Sequence, residues 1–158
     1  MAALKSYTDL EQSKKLAEIL PLESADMFYD GVQDLYKEKV YNIPLNGSSI
    51  TVRTGHVITQ KGIKANLLLP CWSLAALMNL LPSEFTENGE YSETTYRIDI
   101  RKHALTDDVD VYQIAYGNYY WDEEGSCSWS DMINSGEKEN LIDAAFDIIC
   151  WLKENNKL

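Results

Sequence analysis

Cys71 is the residue best placed for covalent chemistry, because it stands just before an apolar helical pattern and a thiolate is stabilised at a helix N-terminus. A cysteine nucleophile also needs a base. Either of the two histidines, His56 or His103, could supply it only through the fold, since neither is near Cys71 in the sequence. One hypothesis is therefore a ligand or catalytic site assembled from Asp26, Cys71, Trp72 and one histidine.

A structural role explains the same residues more simply. Ser73 is a natural N-cap for the helix that the following apolar stripe predicts, and Cys71 and Trp72 are apolar residues that can dock its start. We favour this structural interpretation, so we assign no catalytic residue.

The densest aromatic segment of the chain, residues 116–129, is also acidic. Its central six residues are Tyr119, Tyr120, Trp121, Asp122, Glu123 and Glu124. Aromatic residues are enriched at protein-binding hot spots, whereas those that stack on nucleic-acid bases usually lie in a basic groove. The acidic neighbours therefore favour protein binding over base stacking. The alternative, that the aromatic residues only pack across a sheet, carries equal weight.

Other patterns that bind metals or phosphates are missing from the sequence. There is no Cys-x-x-Cys pair, and the acidic segment 107–110 lacks the spacing of an EF-hand loop. Glycine-rich phosphate loops and the Gly-x-Ser-x-Gly motif of hydrolases are missing as well. We therefore predict no metal and no cofactor, and the sequence favours a protein that is not an enzyme.

The charge of this 158-residue chain is strongly negative and uneven. Its 14 basic and 25 acidic residues give a formal net charge of −11. Residues 1–82 carry eight of each sign, whereas residues 83–158 carry 17 acidic and 6 basic side chains. Because cations are scarce, direct binding of nucleic acid or of an anionic membrane is disfavoured. The expected partner is a basic protein, recognised by charge complementarity.

The sequence predicts a cytoplasmic protein. Residues 1–9 lack the apolar run of a secretory signal. The longest apolar stretch, residues 67–81, is interrupted by polar residues and is shorter than the ~20 residues that span a bilayer. Three widely separated cysteines argue against a disulfide framework.

The length of the chain predicts a single domain over residues 1–158, and hydrophobic periodicity predicts an α+β fold. We expect an antiparallel sheet with helices packed on one side, including a long C-terminal helix. The first helix should begin with a capping box at Thr8 and Glu11, and the last with Asn140 as its N-cap.

The expected strands follow the same reasoning. A strand over residues 96–101 should pair antiparallel with residues 109–116, and residues 117–131 should be irregular. Hairpin turns are expected at Asn46-Gly47 and at Lys61-Gly62, while residues 24–39 allow a short helix weakened by a glycine.

Three short segments, spread over most of the chain, resemble a known family in combination. They are Tyr7-Thr8 with residues 12–16 leading to Ala25-Asp26-Met27 and Tyr29, Pro70-Cys71-Trp72-Ser73-Leu74 with Leu77 and Pro82, and Asp143-Ala144 with Trp151-Leu152. In these motifs the chain resembles a family of small uncharacterised proteins from prophages and mobile elements of gut Bacteroidetes. That family has no assigned activity, so the resemblance implies a cytoplasmic α+β domain and no particular chemistry. Residues 83–135, where much of the acidic excess lies, depart most from the shared pattern.

These observations favour a non-enzymatic, acidic interaction protein of phage or mobile-element type that binds a basic host protein. One form of this hypothesis is a protein that occupies a host nucleic-acid-binding protein in place of DNA. Two other hypotheses stay open. The first is a small-molecule-binding or enzymatic domain with its site around Cys71 and Trp72, and the second is a homo-oligomer formed through the aromatic segment.

Overall fold

A computed structural model describes residues 5–30, 40–42, 50–51, 57–58, 68–89, 92–106 and 109–158. The chain divides into two compact units, one of residues 6–78 and one of residues 79–158 together with Lys5. Helices and antiparallel strands make up the described residues, so the predicted α+β class is confirmed. The expectation of one domain over residues 1–158 stays a prediction.

The first unit combines a ten-residue helix with short strands. In chain order its elements are α1 (Leu10–Ile19), a 3-10 turn (Leu22–Ser24), β1 (Met27–Asp30), β2 (Val40–Asn42), β3 (Ile50–Thr51), β4 (Val57–Ile58) and β5 (Leu68–Cys71). Strand β1 is the centre of a three-stranded antiparallel sheet with the order β2-β1-β5, and β3 pairs antiparallel with β4. Helix α2 (Leu74–Leu80) follows, at the division between the two units.

The start of α1 corrects the predicted capping box by one residue. Asp9 is the N-cap: its carboxylate accepts a hydrogen bond from the backbone N–H of Gln12 at 2.9 Å, and the Gln12 side chain accepts from the N–H of Asp9 at 3.2 Å. Thr8 is instead fully buried, and its hydroxyl accepts from the backbone N–H of Trp72 at 3.1 Å. A tertiary contact therefore uses the side chain that the local motif assigned to the cap.

Residues 27–30 form a strand, so the short helix that the sequence allowed over residues 24–39 is wrong for this part. Backbone pairing with β2 on one side and β5 on the other outweighs a weak helical pattern. Residues 31–39 and the turns expected at Asn46-Gly47 and Lys61-Gly62 lie outside the described residues.

The second unit is a four-stranded antiparallel sheet with a helix against it. The strands β6 (Glu84–Asn88), β7 (Glu93–Thr106), β8 (Val109–Trp121) and β9 (Cys127–Asn134) lie side by side in chain order. Ile100 lies opposite Ile114, so the predicted pairing of residues 96–101 with residues 109–116 is confirmed. Helix α3 (Leu141–Glu154) packs against β8.

Helix α3 begins where the sequence predicts. The Asn140 side chain accepts a hydrogen bond from the backbone N–H of Asp143 at 3.0 Å. The helix has 14 residues, about 21 Å of length, which is ordinary for a globular protein. Its buried side chains are Ile142, Ala144, Ala145, Ile148, Ile149, Cys150 and Leu152. This wide apolar stripe explains why the helix packs on a sheet.

Tyr116 of β8 lies in the core of this unit. Its ring is fully buried and packs on Phe85 with ring centroids 5.1 Å apart, and Phe85 in turn lies 6.3 Å from Trp151 of α3. The Tyr116 hydroxyl donates a hydrogen bond of 2.5 Å to the carbonyl oxygen of Pro82. Burial raises the pKa of Tyr116 above its ordinary value, so the phenol stays protonated.

The prediction that residues 117–131 are irregular is wrong, because they form the end of β8, a tight turn and the start of β9. Cross-strand pairs such as Tyr119 opposite Trp129 stabilise this hairpin, and Gly125 takes the left-handed conformation that its turn requires, with φ of +80°. In the part of the chain that the structure describes, no helix is long and apolar enough to cross a membrane.

Candidate functional site

The turn between β8 and β9 is hydrogen-bonded and holds three adjacent carboxylates. Asp122 organises it: one carboxylate oxygen accepts from the backbone N–H groups of Glu124, at 3.1 Å, and Ser126, at 2.7 Å. Its own N–H donates to the carbonyl oxygen of Ser126 at 3.0 Å. Glu123 and Glu124 are exposed, and neither forms an ion pair with any residue that the structure describes. Within the described residues their charges are therefore uncompensated.

The residues before this turn expose large aromatic surfaces. Tyr119 is 65% exposed, Tyr120 is 49% exposed and Trp121 is 72% exposed. Exposed apolar area of this kind often marks an interaction site when it is contiguous. The six residues that the sequence singled out, 119–124, thus lie together at one end of the β8–β9 hairpin, which we call the hairpin tip.

Trp129 extends the aromatic surface on to the sheet. Its ring meets the Tyr119 ring edge to face, with centroids 5.1 Å apart and planes inclined at 77°. A Cβ atom on Gly117 would lie 2.7 Å from two indole carbons of Trp129. Glycine at this position therefore lets the indole lie directly on the backbone of β8. Tyr116 lies on the face of the sheet that packs against α3. Because successive strand residues point to opposite faces of a sheet, Gly117 lies on the other face, which we call the Trp129 face.

Arg101 of β7 sits on the Trp129 face in a network of side chains. Its guanidinium donates two hydrogen bonds to the carboxylate of Asp131, at 2.7 and 3.1 Å, and one to Asp99 at 2.7 Å. The Trp129 indole N–H donates to the same Asp131 carboxylate at 2.5 Å, and the guanidinium carbon lies 5.9 Å from the Trp129 ring centre. This network fixes the orientation of the indole.

The same contacts shift the ionisation of both partners. The hydrogen bond from Arg101 lowers the pKa of Asp131 below its ordinary value, and the bond to Asp131 raises the pKa of Arg101. Both groups are therefore charged at neutral pH, and their charges largely cancel. Arg101 is committed to this network and is poorly placed to act as an anion-binding group.

The strands β7 and β8 separate beside Gly117 and leave a cleft between two hairpins. Their pairing begins at Arg97 opposite Gly117 and runs away from the cleft. Beyond this point, among the described residues, β7 continues to Glu93 paired with β6 alone, and β8 continues to Trp121 paired with β9 alone. The cavity between them has a volume of about 300 Å³. Its lining residues are Glu93, Thr94, Thr95, Arg97, Gly117, Asn118, Tyr119 and Trp129.

Among the described residues, two charged side chains line this cleft, Glu93 and Arg97. The hairpin tip, which follows the β8 wall in the sequence, adds the carboxylates of Asp122, Glu123 and Glu124. Arg97 is paired with Glu84 at 3.3 Å, and Glu87 is paired with Lys157 at 2.8 Å. The carboxylates of Glu93 and of the hairpin tip form no ion pair within the described ranges. The cleft can therefore attract a cationic ligand.

The second group that the sequence singled out, Asp26, Cys71 and Trp72, also comes together, in the first unit. Cys71 and Trp72 are fully buried. The Asp26 carboxylate accepts from the backbone N–H of Ser73 at 2.8 Å and from its hydroxyl at 2.5 Å. The Ser73 hydroxyl oxygen accepts from the N–H of Ala76 at 3.2 Å, as an N-cap of α2 does. These contacts agree with the structural interpretation, in which the group anchors the start of α2.

The chemistry proposed for Cys71 stays a prediction, because one candidate base, His56, lies outside the described residues. Its sulfur lies 3.5 Å from the Thr8 hydroxyl and 3.5 Å from the Thr8 carbonyl oxygen, and the Trp72 indole N–H donates to the Ser24 hydroxyl at 3.0 Å. His103 is exposed on β7, opposite Val111, and His56 lies outside the described residues. Among the residues that the structure describes, no group of three or more His, Cys, Asp or Glu side chains could hold a metal ion.

Comparison of the chain with protein-family models, with curated proteins and with solved structures finds no match. The candidate site therefore depends on its own geometry. Sequence reasoning identified the hairpin tip but missed the cleft and the Arg101 network. The cleft depends on where two strands stop pairing, and the only local signal was Gly117 within an otherwise aromatic segment.

Proposed function

We propose that the chain is a non-enzymatic, acidic interaction protein that binds a basic protein partner through the hairpin tip and the adjoining Trp129 face. The observation that supports this most directly is the union of Tyr119 and Trp121, both largely exposed, with Glu123 and Glu124, whose charges are uncompensated within the described residues. Aromatic anchors supply contact area, and the carboxylates supply attraction and orientation for a cationic partner.

The biological setting of this proposal follows the family resemblance. A cytoplasmic protein of phage or mobile-element type would meet the nucleic-acid-binding proteins of its host, whose binding surfaces are basic. An acidic face that occupies such a surface competes with DNA for it. The net charge of −11, all of which lies in residues 83–158, suits this role.

The test is a pull-down with the full chain, followed by identification and purification of the captured protein. We expect a partner with a basic surface, and a binding constant that falls at least about tenfold between about 50 and 300 mM salt, because screening weakens charge attraction. The triple variant Asp122→Asn, Glu123→Gln, Glu124→Gln should weaken binding of the purified partner.

The matched control is the double variant Glu137→Gln, Glu139→Gln, which removes exposed carboxylates outside the hairpin tip and the cleft. It should bind the purified partner like the wild type. Three outcomes would contradict the proposal. They are a partner without a basic surface, binding that does not change with salt concentration, and a triple variant that binds as tightly as the control.

A further inference from the structure

The cleft between β7 and β8 exposes the backbone edges of two strands inside the sheet. Alternate residues of a strand direct their backbone groups to opposite neighbours. The N–H of Ile98 donates to Ser83 on the β6 side at 3.0 Å, so Thr95 and Glu93 direct their backbone groups into the cleft. In the described part of the chain, the strand pairing of these two residues is with β6 alone.

The β8 wall of the cleft exposes its backbone groups in the same way. Asp122 donates its N–H to Ser126 on the β9 side, so Tyr119 and Trp121 direct their backbone N–H and C=O groups toward the cleft. Their pairing within the described residues is with β9 alone. Strand edges of this kind are templates for an added strand, because main-chain hydrogen bonds supply affinity whatever the sequence of the added segment.

The side chains around the cleft restrict what that segment can be. On the Trp129 face an added strand meets the rings of Tyr119 and Trp129 and the carboxylate of Glu93, while the charge of Arg97, the cation of the lining, is paired with Glu84. Lysine and arginine suit this surface, since their aliphatic stems pack on rings and their charges face carboxylates. On the other face Tyr96 packs against Phe85 with ring centroids 5.5 Å apart, an aromatic surface that suits apolar residues.

We propose that the cleft binds an extended segment of the basic partner, in which basic and apolar residues alternate, as an added strand along the inner edge of β8. This inference rests on the proposed function and specifies how the partner is recognised. The volume of about 300 Å³ is at the small end for ligand pockets, which suits a few residues of chain.

The test uses the full chain and a synthetic eight-residue peptide of alternating lysine and valine. Binding is followed by calorimetry and by tryptophan fluorescence. We expect saturable binding that is lost when glutamate replaces every lysine. Two further peptides carry N-methyl groups on all lysine amides or on all valine amides, which removes backbone donors on one side of the strand and keeps every side chain.

If the peptide adds to β8, methylation of at least one of these two sets weakens binding by about tenfold or more. Tolerance of both methylated peptides would overturn the added strand. Tyr119→Ser and Glu93→Gln should each weaken binding of the unmodified peptide, and Glu139→Gln, outside the cleft, should not. Equal binding of the glutamate peptide or of a single-stranded oligonucleotide would also overturn the inference.

The two proposals fail in different ways. If the triple variant of the hairpin tip loses the partner but both methylated peptides still bind, recognition is electrostatic, and the added strand is wrong while the proposed function stands. If the peptide binds as expected but the pull-down yields no basic partner, the proposed function is wrong while the cleft remains a peptide site.

Discussion

Arg101 and Asp131 show how single residues set the character of the Trp129 face. Each side chain is about one quarter exposed or less, and together they form a bidentate ion pair. The Asp131 carboxylate of this pair also accepts a hydrogen bond from the Trp129 indole N–H. Such pairs are among the stronger polar contacts in proteins because both groups are charged and the geometry is fixed. The pair leaves the face with a rigid aromatic surface and little net charge of its own.

The same pair predicts a pH-dependent stability. At neutral pH, Asp131→Asn should lower the free energy of unfolding by about 1–3 kcal/mol, because it breaks hydrogen bonds to a charged group. The pKa of Asp131 is lower in the folded chain than in the unfolded chain, so its contribution is present above the unfolded value of about 4 and is lost as pH falls through the folded value.

Urea unfolding of the wild type and the variant at neutral pH and at about pH 3 measures this difference. The gap between the two proteins should shrink at the lower pH. Glu137→Gln, at an exposed site, should differ little from the wild type at either pH. A gap that is the same at both pH values would show that Asp131 acts by shape alone.

The pairing of β8 with β9 depends on a close approach at Gly117, next to a register shift between the two strands. A Cβ atom there would lie 2.3 Å from the carbonyl oxygen of Ser130 and 2.7 Å from the Trp129 indole. Gly117→Ala should therefore force the strands apart and lower the free energy of unfolding by about 1–3 kcal/mol.

Chemical denaturation measures that loss, and the NMR resonance of the Trp129 indole N–H, which donates to Asp131, shows whether the ring moves. Asn118→Ala, at the next residue, is the matched control and should leave both readings nearly unchanged. If Gly117→Ala proved as stable as Asn118→Ala, β9 would have room to shift away from β8.

Elements that follow from local spacing could be predicted from the sequence. Helix α3 shows its N-cap at Asn140 and its apolar stripe directly, and the β7–β8 pairing follows from alternation and a short link. Predictions failed where distant contacts decide. The buried contacts of Thr8 move the cap to Asp9, and two partner strands extend residues 27–30.

The candidate site was predictable only in part, for the same physical reason. Composition identified the hairpin tip, since aromatic and acidic residues are adjacent in the sequence. The cleft requires two facts that no local pattern contains: that β7 and β8 stop pairing at Arg97 and Gly117, and that Trp129 of β9 folds over Gly117. Both are properties of strand register, which is set by the whole sheet.

At the scale of the whole molecule, charge governs self-association. The carboxylates of the hairpin tip, which form no ion pair with the described residues, should repel those of a second copy, although the exposed aromatic rings beside them favour contact. We expect a monomer of 18.0 kDa at about 50 mM salt, with more association as salt screens the repulsion.

Size-exclusion chromatography with light scattering tests this expectation. The triple variant of the hairpin tip should associate more than the wild type at low salt, whereas the double variant Glu137→Gln, Glu139→Gln should behave like the wild type. A stable wild-type dimer at low salt would instead support the homo-oligomer hypothesis.

The position of Cys127 offers a practical route to these measurements. It is exposed at the start of β9, directly opposite Trp121 in the strand register, whereas Cys71 and Cys150 are buried. Thiol reagents modify accessible cysteines first. A maleimide dye added to the unaltered protein should therefore label this single position, at the border of the hairpin tip, and signal the arrival of a partner without any engineered residue.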